Sequence, residues 1–341
     1  MTTTTTLPLV DLGDGLTVTA LGYGGMSLTD VYGPISEDEG ARTVRHALDA
    51  GIRFLDTANV YGGGISERVV GRAVTGRRDE VVIASKFGIA GGPIGSRNIN
   101  GDPAYMREQL DASLQRLGVE RIDLYYQHRI DQQVPIEETV GALAEQVAAG
   151  KIGHIGLSEA TGDEIRRAAR VHPIAAVQSE WSVVSRDVEQ NVIPAVIEVG
   201  AAFVPYAPLS RAWLTDDFSP AQIGDGDVRR GFPRFTAENL ERNAGLRAEL
   251  GELAAASGLT RAQLALAWLF DRGRRLGLSV APIPGSRLPR HVDEWMPAAD
   301  AVGSARAVLS DEVVARLDTF ADRISGPRHK DRTWTSQRGD D

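Results

Sequence analysis

This sequence predicts an α/β fold, a single (β/α)8 (TIM) barrel preceded by a β-hairpin, and three observations carry that reading. From Ala20 onward, short apolar runs alternate with amphipathic stretches eight times, which is the pattern of parallel strands joined by crossover helices. No composition break divides the 341 residues, so the eight units belong to one closed domain rather than two. The rival fold, an open doubly wound sheet, is announced by G-x-G-x-x-G after its first strand. Gly22-Tyr23-Gly24-Gly25 is only a fragment of that spacing.

The elements follow in chain order. Residues 1–7, with Thr2 to Thr6 after Met1, read as a flexible tail, residues 8–323 as the barrel, and 324–341 as a polar C-terminal tail expected to be extended or disordered. Two short runs flanking Asp14-Gly15 predict the hairpin. Barrel strands are expected at 20–23, 52–56, 81–86, 122–127, 152–157, 174–178, 202–206 and 277–283. Helix starts are marked by Ser36 with Glu39, a capping box, and by Asp102 before Pro103. Helix ends are marked by Gly51, Gly76, Gly118, Gly150 and Gly200. An irregular segment, roughly 207–237, follows the seventh strand; loops of this length are more often functional than structural.

Composition narrows the function. No apolar run approaches the roughly 20 residues of a membrane span, and the start lacks the charged and apolar regions of a secretory signal. There is no cysteine, which removes disulfides, zinc-thiolate sites and thiol nucleophiles. His46, His154, His172, His291 and His329 have no metal-ligand spacing, so no metal is expected. A net charge of −9 disfavours nucleic acid while leaving room for a local basic pocket that takes a phosphate. These features describe a cytoplasmic enzyme acting on a small molecule, without nucleic-acid or membrane partners.

In an eight-fold barrel, chemistry sits at the carboxyl ends of the strands. Read in order, those ends carry Asp56, Lys86, His128, Ser158, Gln178 and Tyr206, and the eighth runs into Pro284-Gly285-Ser286-Arg287. So many hydrogen-bonding groups on a barrel axis call for a ligand to satisfy them. Tyr61 follows Asp56 by five residues on a glycine-rich loop. A phenol is a poor acid near neutral pH, and an adjacent ammonium stabilises its phenolate. Lys86 supplies that charge, Asp56 holds the ammonium in place, and His128 orients and polarises a substrate oxygen. The set suits carbonyl reduction. Taken singly, Lys86 reads as a solvated charge, His128 as a core histidine and Tyr61 as packing; their joint register favours catalysis. Tyr32, Trp181 and Trp213 are candidate walls of an apolar substrate site.

At these residues the chain resembles the aldo-keto reductase superfamily. The resemblance is carried by Asp56-Thr57-Ala58-Asn59-Val60-Tyr61-Gly62, Ala84-Ser85-Lys86-Phe87-Gly88, Tyr126-Gln127-His128-Arg129, Gly156-Leu157-Ser158-Glu159-Ala160, Val177-Gln178-Ser179-Glu180-Trp181, Pro205-Tyr206-Ala207-Pro208-Leu209-Ser210-Arg211 and Ile283-Pro284-Gly285-Ser286-Arg287, from about residue 9 to 322. It implies that Tyr61 is the general acid for an aldehyde or ketone substrate, tuned by Lys86 and Asp56, with His128 orienting the carbonyl. It also implies NADPH as cofactor: Ser158 and Gln178 on the nicotinamide carboxamide, Tyr206 stacked on its ring, Pro208, Leu209, Ser210 and Arg211 at the pyrophosphate, and Ser286 and Arg287 on the 2'-phosphate. Glu294 falls near the adenine, and Met26 and Asp56 count among the cofactor contacts. Two positions depart from the family pattern: Glu159 stands where Asn is usual, and Trp295 follows Glu294 where Asn is usual. Two other functions share some of these residues. A non-catalytic NADPH-binding subunit would keep the cofactor set, and a Schiff-base aldolase would use Lys86, although Asp56 beside it argues for a protonated amine.

Overall fold

The hairpin forms at Asp14-Gly15: β1 (Leu9–Asp11) pairs antiparallel with β2 (Thr17–Thr19). Asp14 and Gly15 take positive φ of 50° and 74°, as a tight turn between strands requires. Leu12, Leu16 and Val18 are buried in one cluster with Phe54, Leu124, Ala202 and Ala281 from the barrel interior, and Ala202 N donates to Leu12 O at 3.1 Å. The hairpin therefore seals the end of the barrel where the strands begin, and the opposite end is left for a site.

The computed structural model describes residues 7–91, 98–299, 302 and 309–339. Seven parallel strands run β3 (Tyr23–Gly24), β4 (Phe54–Asp56), β5 (Val82–Phe87), β8 (Ile122–Gln127), β9 (Ile152–Ser158), β10 (Ala176–Glu180) and β11 (Ala202–Tyr206). Between β5 and β8 a small antiparallel ribbon, β6 (Ile89–Ala90) with β7 (Asn98–Ile99), stands apart from the barrel sheet. The expected eighth strand appears only as bridges from Val280 and Ile283 to Phe203 and Tyr206. Pro282 and Pro284 explain this, because neither has an N–H for a ladder. Their carbonyls instead accept from Gly22 N and Gly24 N at 3.0 and 2.9 Å, which closes the ring onto β3.

Helices pack outside this ring, each at the place the alternation predicts: α1 (Glu37–Asp49), α2 (Ile65–Val74), α3 (Pro103–Leu117), α4 (Ile136–Ala148), α5 (Gly162–Ala169) and α6 (Val188–Glu198). After β11 come α7 (Ala237–Arg242), α8 (Ala244–Ala256), α9 (Arg261–Leu276), α10 (Pro289–Ala299), α11 (Asp311–Asp318) and α12 (Phe320–Arg323). Ser36 and Glu39 form the capping box of α1, Asp102 caps α3 ahead of Pro103, and all five glycines expected after helices have positive φ. Trp181 is not a pocket residue. It is fully buried at the β10 edge against Phe203 and Trp268, ring centroids 5.4 and 5.9 Å away. Trp213 is likewise 1% exposed.

Leu7 and the C-terminal segment differ from expectation. Leu7 is packed in the core at 2% exposure, and the rest of the expected N-terminal tail lies outside the described residues. The segment after Ile324 is ordered, with turns at Arg332–Trp334 and Ser336–Gly339. It lacks an apolar pattern because ion pairs, not apolar contacts, hold it: Arg328 reaches Glu159 and Asp187, and Arg338 reaches Glu164.

Helix α2 approaches α3 so closely that a Cβ on Gly71 would lie 2.4 Å from Leu117 O. Gly71→Ala is expected to destabilise the fold by about 1–3 kcal/mol through overpacking, read as a lower urea midpoint at unchanged slope.

Candidate active site

Side chains alternate across a strand, so residues two apart share a face. Asp56 on β4 is opposite Ala84 on β5; Lys86, two residues further, points into the barrel on the same side. Lys86 Nζ donates to Asp56 Oδ1 and, at 2.8 Å, to Thr57 O. Lys86 has no exposed surface and Asp56 is 2% exposed, so this ion pair is buried. Gln178 Nε2 donates to the other carboxylate oxygen of Asp56 at 2.8 Å, and Gln178 is paired in register with Ser158 on β9. Lys86 and Gln178 lie one and two residues inside their strands rather than at the ends, and His128 lies one beyond β8. The strands simply run slightly further than the apolar runs that reveal them.

The loop after β4 delivers Tyr61. Thr57 N and Asn59 N donate to Ala84 O and Lys86 O at 2.9 and 3.2 Å, holding the loop along β5. Gly62, Gly63 and Gly64 then turn the chain into α2 with φ of 59°, 61° and 91°, values that side-chain-bearing residues adopt at a cost. Lys86 Nζ sits 5.2 Å from the Tyr61 ring centroid. The His128 ring meets Tyr61 edge-on at 5.7 Å. The four residues expected to act together are therefore brought together.

Their electrostatics differ from the simplest expectation. Burial is the largest influence on the Tyr61 phenol and pushes it above its ordinary value; Lys86 pulls it down, Asp56 pushes it up and Arg129 pulls it down. Burial likewise lifts Asp56, with Lys86 opposing. The ammonium acts in the expected direction, but against a desolvation cost that exceeds it.

A cavity of about 390 Å³ extends from Asp56 and Tyr61 across the barrel mouth. Met26, Gln178, Tyr206, Pro208, Leu209, Arg211, Ser286, Arg287 and Glu294 line it. Lys86, His128, Ser158 and Ser210 are not on its wall, being almost wholly covered by other side chains. Tyr32 lines it, as does Trp295. The segment after β11 is unusual. Ala207, Ser210, Arg211 and Ala212 have φ of 47°, 46°, 54° and 75°. Left-handed backbone at non-glycine residues costs about 1–3 kcal/mol each and collects at functional sites.

The cavity is basic around Arg287. Arg287 donates to Tyr32 O, Gly33 O and Pro34 O at 2.8, 2.9 and 3.3 Å, and Ser286 Oγ meets His291 Nδ1 at 2.7 Å. Asp217, from the long loop, reaches His291 and Arg290, both at 2.9 Å. Sequence reasoning did not single out Asp217, Arg290 or His291 for this region; their pairing spans more than 70 positions and carries no local pattern.

Glu159, the departure beside Ser158, is turned away from the cavity and fully buried. It accepts from Arg328 at 2.9 Å on both oxygens, from the Tyr206 hydroxyl at 2.7 Å and from Ser336 N at 2.7 Å. Burial alone would raise it, but Arg328, Arg129 and these hydrogen bonds together hold it well below the usual carboxylate range. Its φ of 53° suits Asn better than Glu, so the ion pair offsets a backbone cost. A folded-state value below the unfolded one means stability present above pH about 4.5 and lost as the pH falls below it. Glu159→Gln would leave Arg328 buried with a weakened partner. It is expected to cost roughly 3 kcal/mol or more, to flatten the acid limb of stability against pH, and to speed protease cleavage after residue 324; thermal melts from pH 3 to 7 check this.

A model of the family described as "Aldo/keto reductase family" matches residues 20–322. A protein named "Aldo-keto reductase yakc [NADP(+)]" from Schizosaccharomyces pombe is 40% identical over 322 residues, covering 92% of each chain. The glycerol dehydrogenase AKR11B4 of Gluconobacter oxydans superposes with a TM-score of 0.78 at 27% identity, covering 96% of this chain and 99% of that one. An aldo/keto reductase of Klebsiella pneumoniae, solved with NADP and acetate, superposes with a TM-score of 0.68 at 27% identity, covering 95% and 98%.

Proposed function

Because the chain belongs to the aldo/keto reductase family, we propose that it is an NADPH-dependent reductase of aldehydes and ketones in which Tyr61 donates the proton. The observation that carries this reading is the convergence of Tyr61, His128 and the buried Lys86–Asp56 pair at one end of the barrel. NADPH supplies a hydride to the carbonyl carbon. The chain's residues handle the oxygen: His128 orients it, and Tyr61 gives it a proton as negative charge develops there. Burial keeps the phenol protonated until that moment, and Lys86 stabilises the phenolate left behind.

The donor set fits the cofactor. Gln178 on the cavity wall would offer an amide to the carboxamide, with the covered Ser158 beside it in register, and the Tyr206 ring a face for the nicotinamide. The left-handed turns at 207–212 shape the backbone of Pro208, Leu209, Ser210 and Arg211 for a pyrophosphate. Met26 and Glu294 line the same cavity, and Glu294 would meet the adenine. Ser286 and Arg287 would hold the 2'-phosphate, with the guanidinium fixed in place by the carbonyls of residues 32–34. The S. pombe relative's name carries NADP(+), and the K. pneumoniae structure holds NADP.

Tyr61→Phe keeps the ring and removes the proton donor. Reduction of 4-nitrobenzaldehyde is expected to fall by about 10²–10⁴-fold with NADPH affinity retained; near-wild-type turnover would show another acid. Tight NADPH binding without turnover of any carbonyl by the wild type would instead mark a non-catalytic binding subunit. Arg287→Ala is expected to weaken NADPH by about tenfold or more while NADH shifts far less. Titration against tryptophan fluorescence reads both, since Trp295 lines the cavity.

A further inference from the structure

The reduction described above leaves one charge at the barrel mouth unused. Around the ends of β8 to β11 four arginines face three carboxylates: Arg328 pairs with Glu159 and Asp187, Arg211 and Arg234 flank Glu180 at 3.6 and 3.9 Å, and Arg129 makes no ion pair among the described residues. Asp56 and Lys86 cancel one another. A chain of net charge −9 thus carries a local positive surplus beside Tyr61, and such a focus attracts anions that the remaining surface repels.

Arg129 directly follows His128. Its Nη1 donates to His128 O at 2.6 Å and to Ser158 Oγ at 3.3 Å, its Nε is buried without a partner, and Nη2 makes no hydrogen bond among the described residues. The side chain is half-buried rather than sealed. The contacts with His128 and Ser158 set the guanidinium behind the cavity wall, at the end of β9 and beside His128, whose ring meets Tyr61 at 5.7 Å; its charge also bears on Tyr61 and Tyr206. A guanidinium anchored by one nitrogen and free at another is pre-organised for a carboxylate, because little rotamer freedom remains to be lost.

We propose that Arg129 is a specificity-determining residue that grips a carboxylate borne next to the reacting carbonyl, so that the preferred substrates are small carbonyl acids rather than neutral aldehydes. This rests on the reductase reading above: Tyr61 and His128 engage the carbonyl oxygen while Arg129, one residue along, engages the neighbouring anion. The reaction is otherwise unchanged.

The test pairs 2-formylbenzoate with its methyl ester, which has nearly the same shape without the charge. Wild type is expected to favour the acid in kcat/KM by about ten- to a hundredfold, the range of a charge-assisted contact. In Arg129→Met that ratio falls at least tenfold, mainly through a raised KM for the acid, as loss of uniform binding requires; Arg129→Lys restores part of it. An acid-to-ester ratio near one in the wild type, or one unaltered in Arg129→Met, overturns the proposal. So does an equal fall for acid and ester, which would assign Arg129 to holding Ser158. Calorimetric binding of phthalate, which is not reducible, to wild type and Arg129→Met with NADPH present separates the two readings. Phthalate binding lost in Arg129→Met supports the grip even if neither aldehyde turns over, an outcome that would fail the reductase reading alone. Phthalate binding unchanged overturns the grip.

Discussion

The site is built around the buried ion pair of Lys86 and Asp56. Removing two charges from water costs several kcal/mol per ion, and their attraction repays this only with further hydrogen bonds. Both are present: Thr57 O takes a second ammonium proton and Gln178 Nε2 covers the second carboxylate oxygen. An apolar pair would be no less stable in such a place. The charges therefore make sense by what they do to neighbours, and the neighbours are the Tyr61 and Tyr126 rings, 5.2 and 5.7 Å from Nζ. The same pair fixes the loop that carries Tyr61, since Thr57 O and Asn59 N bind the Lys86 ammonium and carbonyl respectively.

The rest of the mouth is a set of constraints on that centre. The hairpin fills one end of the barrel, so a ligand enters only from the other. The long loop after β11 crosses the groove and is tied on both sides: Val228 N donates to Val31 O at 2.8 Å, and Asp217 reaches α10. The C-terminal segment closes a third side through Arg328 and Arg338. Ion pairs help to hold the loop after β11 and the C-terminal segment, the loop also burying Trp213, Leu214 and Phe235, whereas apolar packing holds the barrel beneath them.

That division explains what was legible in the sequence. Short apolar runs alternating with amphipathic stretches reveal parallel strands, so the barrel, the hairpin and the strand-end Asp56, Lys86, His128, Ser158 and Gln178 could be read from the chain. Strand limits were less legible: β10 runs to Glu180 because backbone pairing continues past the last apolar residue. The eighth strand was over-read because an apolar run does not reveal that Pro282 and Pro284 forbid a ladder. The C-terminal segment was under-read for the converse reason, since Arg328 finds Glu159 across 169 positions, and no local periodicity announces such a pair. Arg129 was visible within its motif, but that it has no carboxylate partner among the described residues emerges only from the packing.

On the proposed reading, Lys86 offsets part of the burial that raises the Tyr61 phenol, and Asp56 keeps that ammonium in place. Alcohol oxidation, the reverse reaction, needs the phenolate as a base, so its rate should rise with pH along the ionisation of Tyr61. The direct measurement is the first-turnover rate of NADPH formation from NADP and 4-nitrobenzyl alcohol between pH 6 and 10. Wild type is compared with the double variant Lys86→Met, Asp56→Asn, which strands neither charge. Lys86 lowers the phenol more than Asp56 raises it, so the double variant should be slower by about tenfold or more, with its rise displaced to higher pH. Superimposable profiles would contradict the account.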